Sequence, residues 1–334
     1  MFPGKMCPGI RVHRVARPWG KQMLGMPLLA RAGRRQARRL APRGARVVVN
    51  GGNCAWGDVK WVHYVHAAWR PRHEGSHARR AKGWLLHRWA LADERARLRQ
   101  ARVVIANSER TRADLVERLG IADARVHTVY YGTDPARFRP PSAAERAEAR
   151  ARLGWDDARP AVAFVGALGD TRKGFDTLFE AWRRLARDPG WDARLVVLGR
   201  GAALDGWRAA AAPRRDSIEF LGFRADVPLV LRGCDALVSP TRYEPYGLAV
   251  HEALCRGLPA LVTRTAGVAE RYPPALHDWL LPDPDDAGDL ADRLRRWRAR
   301  PETGREALKA LSDQLRAFTW DDMAEQIVAL AESG

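Results

Sequence analysis

Short apolar runs alternate with longer amphipathic stretches along most of the chain. Residues 46–50, 102–108 and 161–166 are rich in Val, Ile and Ala, as buried strands commonly are. Residues 109–119 carry apolar side chains at helical spacing, and Ser108 precedes them as the expected N-cap. This alternation of strands and helices predicts an α/β protein built on parallel sheets.

The same pattern predicts the remaining elements and two domains. Further strands are expected at residues 11–16, 61–66, 126–129, 194–198, 218–223, 236–238 and 259–263. Further helices are expected at residues 22–40 (interrupted by Gly25, Pro27 and Gly33), 75–100, 145–153, 177–187, 246–255 and from about 287 to the end. At 334 residues the chain exceeds what one core usually supports, so we predict domains at residues 1–140 and 141–334, joined at the stiff pair Pro140-Pro141.

Residues 236–252 have the most informative order. A short apolar strand leads into a loop opened by Ser239-Pro240, and a helix follows from about Tyr246 or Gly247. Free backbone N–H groups and the positive end of a helix dipole then face whatever lies beyond the strand, which suits a phosphate group. Gly247 would let a ligand approach the main chain closely because it has no Cβ.

Two carboxylates flank this turn. Glu244 precedes the helix and Glu252 lies about a turn and a half inside it, so both can face one crevice. Taken alone, the pair has two interpretations: a helix cap with a solvated helix face, or two groups that bind one ligand.

Charge is distributed unevenly between the halves. Residues 1–150 carry 31 Lys+Arg against 11 Asp+Glu, a balance of +20, whereas residues 151–334 carry 26 against 28, a balance of −2. The basic half indicates an anionic partner: a phospholipid surface, a lipid-phosphate acceptor or nucleic acid. Nucleic acid is disfavoured because no aromatic stacking motif or reading helix is recognisable. No apolar run reaches the roughly 18 to 20 residues of a membrane span.

Several motifs together resemble the donor-binding signature of the family-four, retaining glycosyltransferases. The matching positions, in order, are Gly166, Lys173-Gly174, Phe220-Leu221-Gly222, Ser239-Pro240, Glu244, Tyr246-Gly247-Leu248 and Glu252. The resemblance implies two Rossmann-like domains that face a central cleft, the GT-B type of fold, with a last helix at about 320–331 that packs back on the first domain. The family's first strand and glycine-rich loop have no counterpart here, so the first domain is expected to be shortened at its N-terminus.

The resemblance also implies roles on the donor side. The expected donor-binding residues are Gly166, Arg172, Lys173, Phe223, Tyr246, Gly247, Leu248 and Glu252. Lys173 would neutralise the diphosphate, and Glu252 would accept hydrogen bonds from the two ribose hydroxyls. Glu244, with the backbone N–H groups beside it, would hold the departing sugar as positive charge builds at its anomeric carbon.

On the acceptor side, His66 matches the histidine that the family places beside the transferred sugar, so Glu244 and His66 are the expected catalytic residues. A structural strand histidine is the alternative for His66. His63 is expected to face the other side of the strand because side chains alternate. No D-x-D metal motif is recognised and the four cysteines lack zinc-ligand spacing, so neither a metal nor a cofactor is expected.

We therefore expect a retaining glycosyltransferase that moves a sugar from a nucleotide-diphosphate sugar to a hydroxyl of a glycan or lipid-linked acceptor. Its expected location is cytoplasmic and peripheral, at the anionic inner face of a membrane, through residues 1–150. The alternative is a catalytically impaired, glycosyltransferase-like module that binds a nucleotide sugar or a partner but lacks the first glycine-rich loop.

Overall fold

Two parallel β-sheets, one in each half of the chain, form the framework of the computed structural model. The structure describes residues 10–16, 18, 22–70, 77–155, 157–214 and 216–333. Helices alternate with the strands in chain order, which confirms the predicted α/β class with parallel sheets. The domain boundary between residues 140 and 141 stays a prediction.

The first sheet has four strands in the order β1-β2-β3-β4, all parallel. Its strands are β1 (Val48–Asn50), β2 (Val59–Val62), β3 (Val103–Ala106) and β4 (Val126–Thr128). The helices of this half are α1 (Gln22–Leu40), α2 (His77–Arg99) and α3 (Glu109–Ala113), which continues as a wider π-helical turn, Asp114–Arg118. All four residues of β3 are buried, as expected for an inner strand of a parallel sheet.

Three expectations for the first half are wrong. Residues 11–16 form no strand, since most of them are exposed to solvent and they pair with no described strand. The second strand is β2, which ends at Val62 rather than at residue 66, because the chain leaves the sheet there. Helix α1 runs unbroken through Pro27, where an interruption was expected. The predicted start of α2 at residue 75 lies outside the described residues.

The second sheet has six parallel strands in the order β10-β9-β8-β5-β6-β7. They are β5 (Ala161–Val165), β6 (Arg194–Leu198), β7 (Ile218–Gly222), β8 (Ala236–Ser239), β9 (Ala260–Thr263) and β10 (Leu280–Leu281). The chain adds strands outward in one direction from β5 and in the other direction from β8. The order therefore reverses between these two strands, and the crevice at their carboxyl ends is where open α/β sheets bind ligands.

Helices also form along the second half of the chain. They are α4 (Ala143–Arg152), α5 (Phe175–Leu185), α6 (Leu204–Ala211), α7 (Val227–Gly233), α8 (Leu248–Cys255), α9 (Ala287–Ala299), α10 (Arg305–Arg316) and α11 (Trp320–Glu332). In α5 the apolar residues recur at helical spacing and all are buried: Phe175, Leu178, Phe179, Trp182 and Leu185. None of the described helices is long and apolar enough to span a lipid bilayer.

The last helix contacts the first sheet. Arg102, which precedes β3, donates hydrogen bonds to the carbonyl groups of Ala331 at 2.6 Å and Ser333 at 2.5 Å, at the end of α11. Before α11 begins, the Thr133 N–H donates to the Phe318 carbonyl at 3.0 Å. These contacts hold the two sheets next to each other, so that side chains from both halves line the space between them.

Candidate functional site

Two loops meet at the switch point of the second sheet. The loop after β5 ends in a short 3-10 turn, Thr171–Lys173, which Asp170 caps by accepting a hydrogen bond from the Arg172 N–H at 3.1 Å. The loop after β8 leads into α8. The Thr241 hydroxyl in this second loop lies 2.9 Å from the Arg172 carbonyl oxygen, which fastens the two loops together.

Arg242 strengthens this junction with ion pairs. Its side chain is 9% exposed and donates to both carboxylate oxygens of Asp176, at 2.9 and 2.7 Å, and to Asp285 at 2.6 Å. Asp283 and Asp285 form a D-x-D spacing that the sequence analysis overlooked, but the Asp285 carboxylate is already paired with Arg242. Within the described part of the chain, no group of three His, Cys, Asp or Glu side chains could hold a metal ion.

Lys173 and Glu244 meet where the two loops join. The lysine Nζ lies 2.5 Å from Glu244 Oε2, and the two side chains are 21% and 14% exposed. A Cβ at Gly166 would come within 3.4 Å of Lys173 Cγ, so the glycine lies directly behind the lysine stem. The structure thus brings together Gly166, Lys173 and Glu244, although two different motifs predicted them.

Helix α8 starts beside this pair without a side-chain cap. Gly247 precedes it with φ 113° and ψ 62°, in the left-handed region that favours glycine. The N–H groups of Gly247 and Leu248 donate to no acceptor among the described residues. The first turn of α8 therefore presents free donors and the positive end of the helix dipole, which together favour an anion.

Glu252 lies in the middle of α8, and its side chain is partly buried. No described residue donates a hydrogen bond to its carboxylate. Burial raises the pKa of Glu252 above its usual value, and the charges of Arg137 and Arg256 act in the opposite direction. A carboxylate that is shielded from water and lacks donors is well suited to accept hydrogen bonds from ligand hydroxyls.

The Tyr246 side chain is not available to a ligand. It is buried, and its hydroxyl lies 2.8 Å from Nδ1 of His251. Burial lowers the pKa of His251 to about 4, so this ring is neutral near pH 7. Leu248 is 39% exposed at the start of α8. Any contact that Tyr246 makes with a ligand must therefore come from its backbone.

His66 has a different setting from the one predicted, because β2 has already ended and the residue begins a 3-10 turn, His66–Ala68. Glu94 of α2 accepts a hydrogen bond from the His66 N–H at 2.9 Å and lies 3.0 Å from ring Nδ1. The His66 side chain is 53% exposed, whereas a histidine that only fills the core would be buried. Sequence reasoning missed Glu94, since nothing local connects two residues that are 28 positions apart.

Aromatic contacts connect His66 to the loops of the second half. Its ring centroid lies 4.9 Å from that of Tyr64, and the Tyr64 centroid lies 5.3 Å from that of Tyr243. The Arg172 guanidinium lies 5.4 Å from the Tyr64 ring centroid and also pairs with Asp170 at 3.1 Å. Arg172 is therefore held between an aromatic face and a carboxylate at the edge of the crevice.

His63 contacts Trp61 and Tyr131 of the first half of the chain, and its orientation relative to His66 stays a prediction. Its Nδ1 contacts the Tyr131 hydroxyl, and the two rings are parallel with centroids 5.8 Å apart. Tyr131 packs edge-on against Tyr246 at 5.0 Å. The alternation of side chains does not apply because the strand ends at Val62.

The loop that carries Glu244 is held from two sides. Ser108 caps α3, as predicted, by accepting a hydrogen bond from the Thr111 N–H at 3.0 Å, and its hydroxyl donates to the Pro245 carbonyl at 2.6 Å. The Gly267 N–H donates to the Glu244 carbonyl at 3.0 Å. Ser108 thus connects the first half of the chain to the residue that follows Glu244.

Phe223 lies apart from these residues. It is 68% exposed just after β7, and the Arg200 guanidinium lies 4.9 Å from its ring centroid. No contact between described residues joins it to Lys173 or Glu244. It does lie at the carboxyl edge of the second sheet, on which the Lys173–Glu244 pair also lies.

The fold and site define a two-sheet α/β protein with a crevice at a topological switch point, lined by a lysine, a carboxylate and an uncapped helix start. Comparison with known proteins agrees with this class: residues 3–137 match the family model described as Glycosyltransferase Family 4, and residues 159–299 match the one described as Glycosyl transferases group 1. The chain belongs to the family-four glycosyltransferases.

Two curated relatives illustrate the similarity. Mannosylfructose-phosphate synthase of Agrobacterium fabrum is 30% identical over 70% of this chain and 53% of its own length. Lipopolysaccharide core biosynthesis mannosyltransferase LpsB of Rhizobium meliloti is 30% identical over 71% of this chain and 67% of its own length. The alignments thus span about half to two thirds of these relatives.

A solved structure confirms the fold. HepE from Anabaena, in a complex with UDP and glucose, superposes with a TM-score of 0.64 at 20% identity, over 81% of this chain and 70% of that one. The predicted GT-B arrangement of two Rossmann-like domains is thereby confirmed at the level of the fold.

Proposed function

We propose that this chain is a retaining glycosyltransferase that transfers a sugar from a nucleotide-diphosphate sugar to a hydroxyl of a glycan or lipid-linked acceptor, without a metal ion. The observation that carries the proposal is the Lys173–Glu244 pair, 2.5 Å apart at the carboxyl ends of β5 and β8 and beside the uncapped start of α8. A nucleotide-diphosphate sugar needs a cation and free N–H groups for its phosphates and a carboxylate for its hydroxyls, and this crevice supplies all three.

The diphosphate of the donor would bind between Lys173 and the first turn of α8. Its two negative charges would attract the lysine ammonium away from Glu244, and the N–H groups of Gly247 and Leu248 would donate to phosphate oxygens. Glu244, released from its ion pair, would then be free to accept hydrogen bonds from sugar hydroxyls. The same groups would stabilise the diphosphate as it leaves, which is why no metal is required in this proposal.

Glu252 and Phe223 would bind the nucleoside. No described residue donates to the Glu252 carboxylate, so the two ribose hydroxyls would supply its hydrogen bonds. Phe223 offers an exposed ring on which a base can stack at the same edge of the sheet.

His66 would contact the sugar or the acceptor from the first half. Glu94 fixes the turn that carries it through the backbone and the ring, and the outer part of the ring is exposed. A histidine oriented by a carboxylate can accept a hydrogen bond from an acceptor hydroxyl. The two relatives are named as a mannosylfructose-phosphate synthase and a mannosyltransferase of lipopolysaccharide core biosynthesis, which supports a sugar or lipid-linked acceptor class.

The basic first half supports a location at an anionic surface. Residues 1–150 have a balance of +20, so we propose a cytoplasmic protein that associates peripherally with the inner membrane face. This would bring a lipid-linked acceptor to the crevice.

Turnover with a panel of nucleotide sugars tests the proposal. The proposal predicts that a nucleoside diphosphate is released only when an acceptor is present and that this release persists in EDTA. It also predicts that the glycoside product has the same anomeric configuration as the donor, as measured by NMR. Inversion of configuration would refute the retaining mechanism, and loss of activity in EDTA would refute metal independence. Nucleotide binding without turnover over a broad acceptor panel would favour the alternative, a glycosyltransferase-like binding module.

A further inference from the structure

Helix α2 exposes large apolar side chains in its first half. Trp84 is 51% exposed, Leu85 61% and Trp89 67%. Among the described residues these two tryptophans are the most exposed of their kind, while Trp155, Trp182, Trp279 and Trp297 are buried. Exposure of two neighbouring tryptophans to water is unfavourable, because a large apolar surface stays solvated that could be buried against a partner.

The sequence of α2 up to these side chains is basic, and the first acidic residue after them, Asp93, is paired with Arg97 at 2.7 Å. Residues 77–92 contain Arg79, Arg80, Lys82 and Arg88 but no Asp or Glu. The Arg88 guanidinium lies 4.7 Å from the Trp84 ring centroid. Helix α1 has the same character, with five arginines, no acidic residue and exposed Met26, Leu28 and Leu29.

We propose that the face of α2 formed by Trp84, Leu85, Arg88 and Trp89 inserts into the interfacial region of an anionic phospholipid bilayer. Tryptophan and leucine beside arginine are typical of helices that lie in this region, where the rings enter the headgroup layer and the cations meet lipid phosphates. If a protein with an acidic, apolar groove covered these side chains instead, the chain would not bind the vesicles used in the test below.

The position of α2 relates this face to the crevice. Glu94, the residue that holds His66, lies five positions after Trp89 on α2, and five helical steps span about 7.5 Å. The inserted face and the acceptor side of the crevice would thus be about one and a half helical turns apart. This last step rests on the proposed function, because it assigns the membrane a role in presenting a lipid-linked acceptor hydroxyl; the insertion itself does not depend on it.

Co-sedimentation with vesicles tests the insertion directly. We expect the chain to bind vesicles of phosphatidylcholine with phosphatidylglycerol at least tenfold more tightly than vesicles of phosphatidylcholine alone. The double variant Trp84→Ser/Trp89→Ser should lose tenfold or more of the affinity for the anionic vesicles. Arg88→Ala should lose about fivefold, since one cation near such a surface contributes about 1 kcal/mol. The control Val328→Ser, which changes an exposed apolar residue on α11, should bind like the wild type.

A second measurement keeps the test independent of folding. The variant Trp84→Phe/Trp89→Phe should bind anionic vesicles nearly as well as the wild type but should lose the part of the tryptophan fluorescence that brominated lipid quenches. Equal binding to neutral and anionic vesicles, or unchanged binding by the Ser double variant, would overturn the proposal. The proposal would also be overturned if the chain did not bind vesicles but self-associated with increasing concentration, and if the Ser double variant abolished that self-association. Nucleotide affinity should be the same in all these variants, so failure of the donor site would appear separately.

Discussion

Gly174→Ala provides a sharp test of how the donor crevice is built. Gly174 joins the 3-10 turn that carries Lys173 to the start of α5, with φ 66° and ψ 24°. An alanine in this left-handed conformation costs roughly 1–2 kcal/mol. A Cβ at this position would lie 1.8 Å from the Pro240 carbonyl oxygen, so the two loops could not keep their present separation.

The expected loss follows from the size of that conflict. To bring the new Cβ to about 3.0 Å from the Pro240 oxygen, the loops must separate by about 1.2 Å. A displacement of about 1 Å at a reacting site lowers rates about a hundredfold. We therefore expect Gly174→Ala to lower kcat/KM about a hundredfold, or about 2.7 kcal/mol, and to weaken nucleotide binding at least tenfold.

The matched control is Gly206→Ala in α6. No atom lies within 4 Å of the position that its Cβ would occupy. Alanine is favoured over glycine inside helices by roughly 0.8–1 kcal/mol, so the control should be as stable as the wild type or more so, with unchanged binding. Both variants would be compared by calorimetric titration and denaturant unfolding. If Gly174→Ala bound nucleotide as tightly as Gly206→Ala does, the close junction of the two loops could not be what positions Lys173.

Two further predictions concern the contact between the halves and the ribose carboxylate. Ser108→Ala removes an N-cap and a buried hydrogen bond to Pro245, so it should lower the unfolding free energy by about 1–3 kcal/mol in urea titrations. Ser142→Ala removes an exposed cap and should lower the unfolding free energy less. Equal losses in the two variants would count against the Ser108–Pro245 contact. Nucleotide affinity should fall as the pH is lowered through the raised pKa of Glu252, because only the ionised carboxylate accepts both ribose protons. Because the pKa of Glu252 is raised, the ionised carboxylate lowers the folding stability as the pH rises through that pKa, so Glu252→Gln should not lower stability. The same variant should weaken nucleotide binding about tenfold or more at pH 7 and flatten the pH dependence of binding. A fall in stability that accompanies the weaker binding would contradict this.

Local patterns predicted the elements that depend on neighbouring residues. The apolar spacing in α5 identifies a helix packed on a sheet, and Ser108 is followed by a helical stretch that needs a cap. The predicted end of the strand at residue 66 is wrong because the apolar pattern of the sequence continues past Val62, where β2 ends. His63 and Tyr64 instead contact Tyr131 and Tyr243, which are distant in the sequence and which no local pattern reveals.

The crevice could be predicted only in part. Glu244 and Lys173 came from motifs that resemble a known family, but their ion pair joins residues 71 positions apart and requires β5 and β8 to be adjacent. Strand order is a property of the whole sheet, so no local pattern reveals it. Glu94, which holds His66, lies on a helix whose periodicity carries no sign of that contact.

Calorimetric titration with UDP, GDP and ADP tests the central claim most directly. The account predicts that one of these nucleotides binds the wild-type chain at micromolar concentration, and that Lys173→Ala and Glu252→Ala each abolish the binding. The exposed control variants Lys309→Ala and Glu148→Ala should bind like the wild type, because these side chains lie in α10 and α4, away from the crevice. Nucleotide binding that survives both crevice substitutions would contradict the account, as would the absence of binding by the wild-type chain to all three nucleotides.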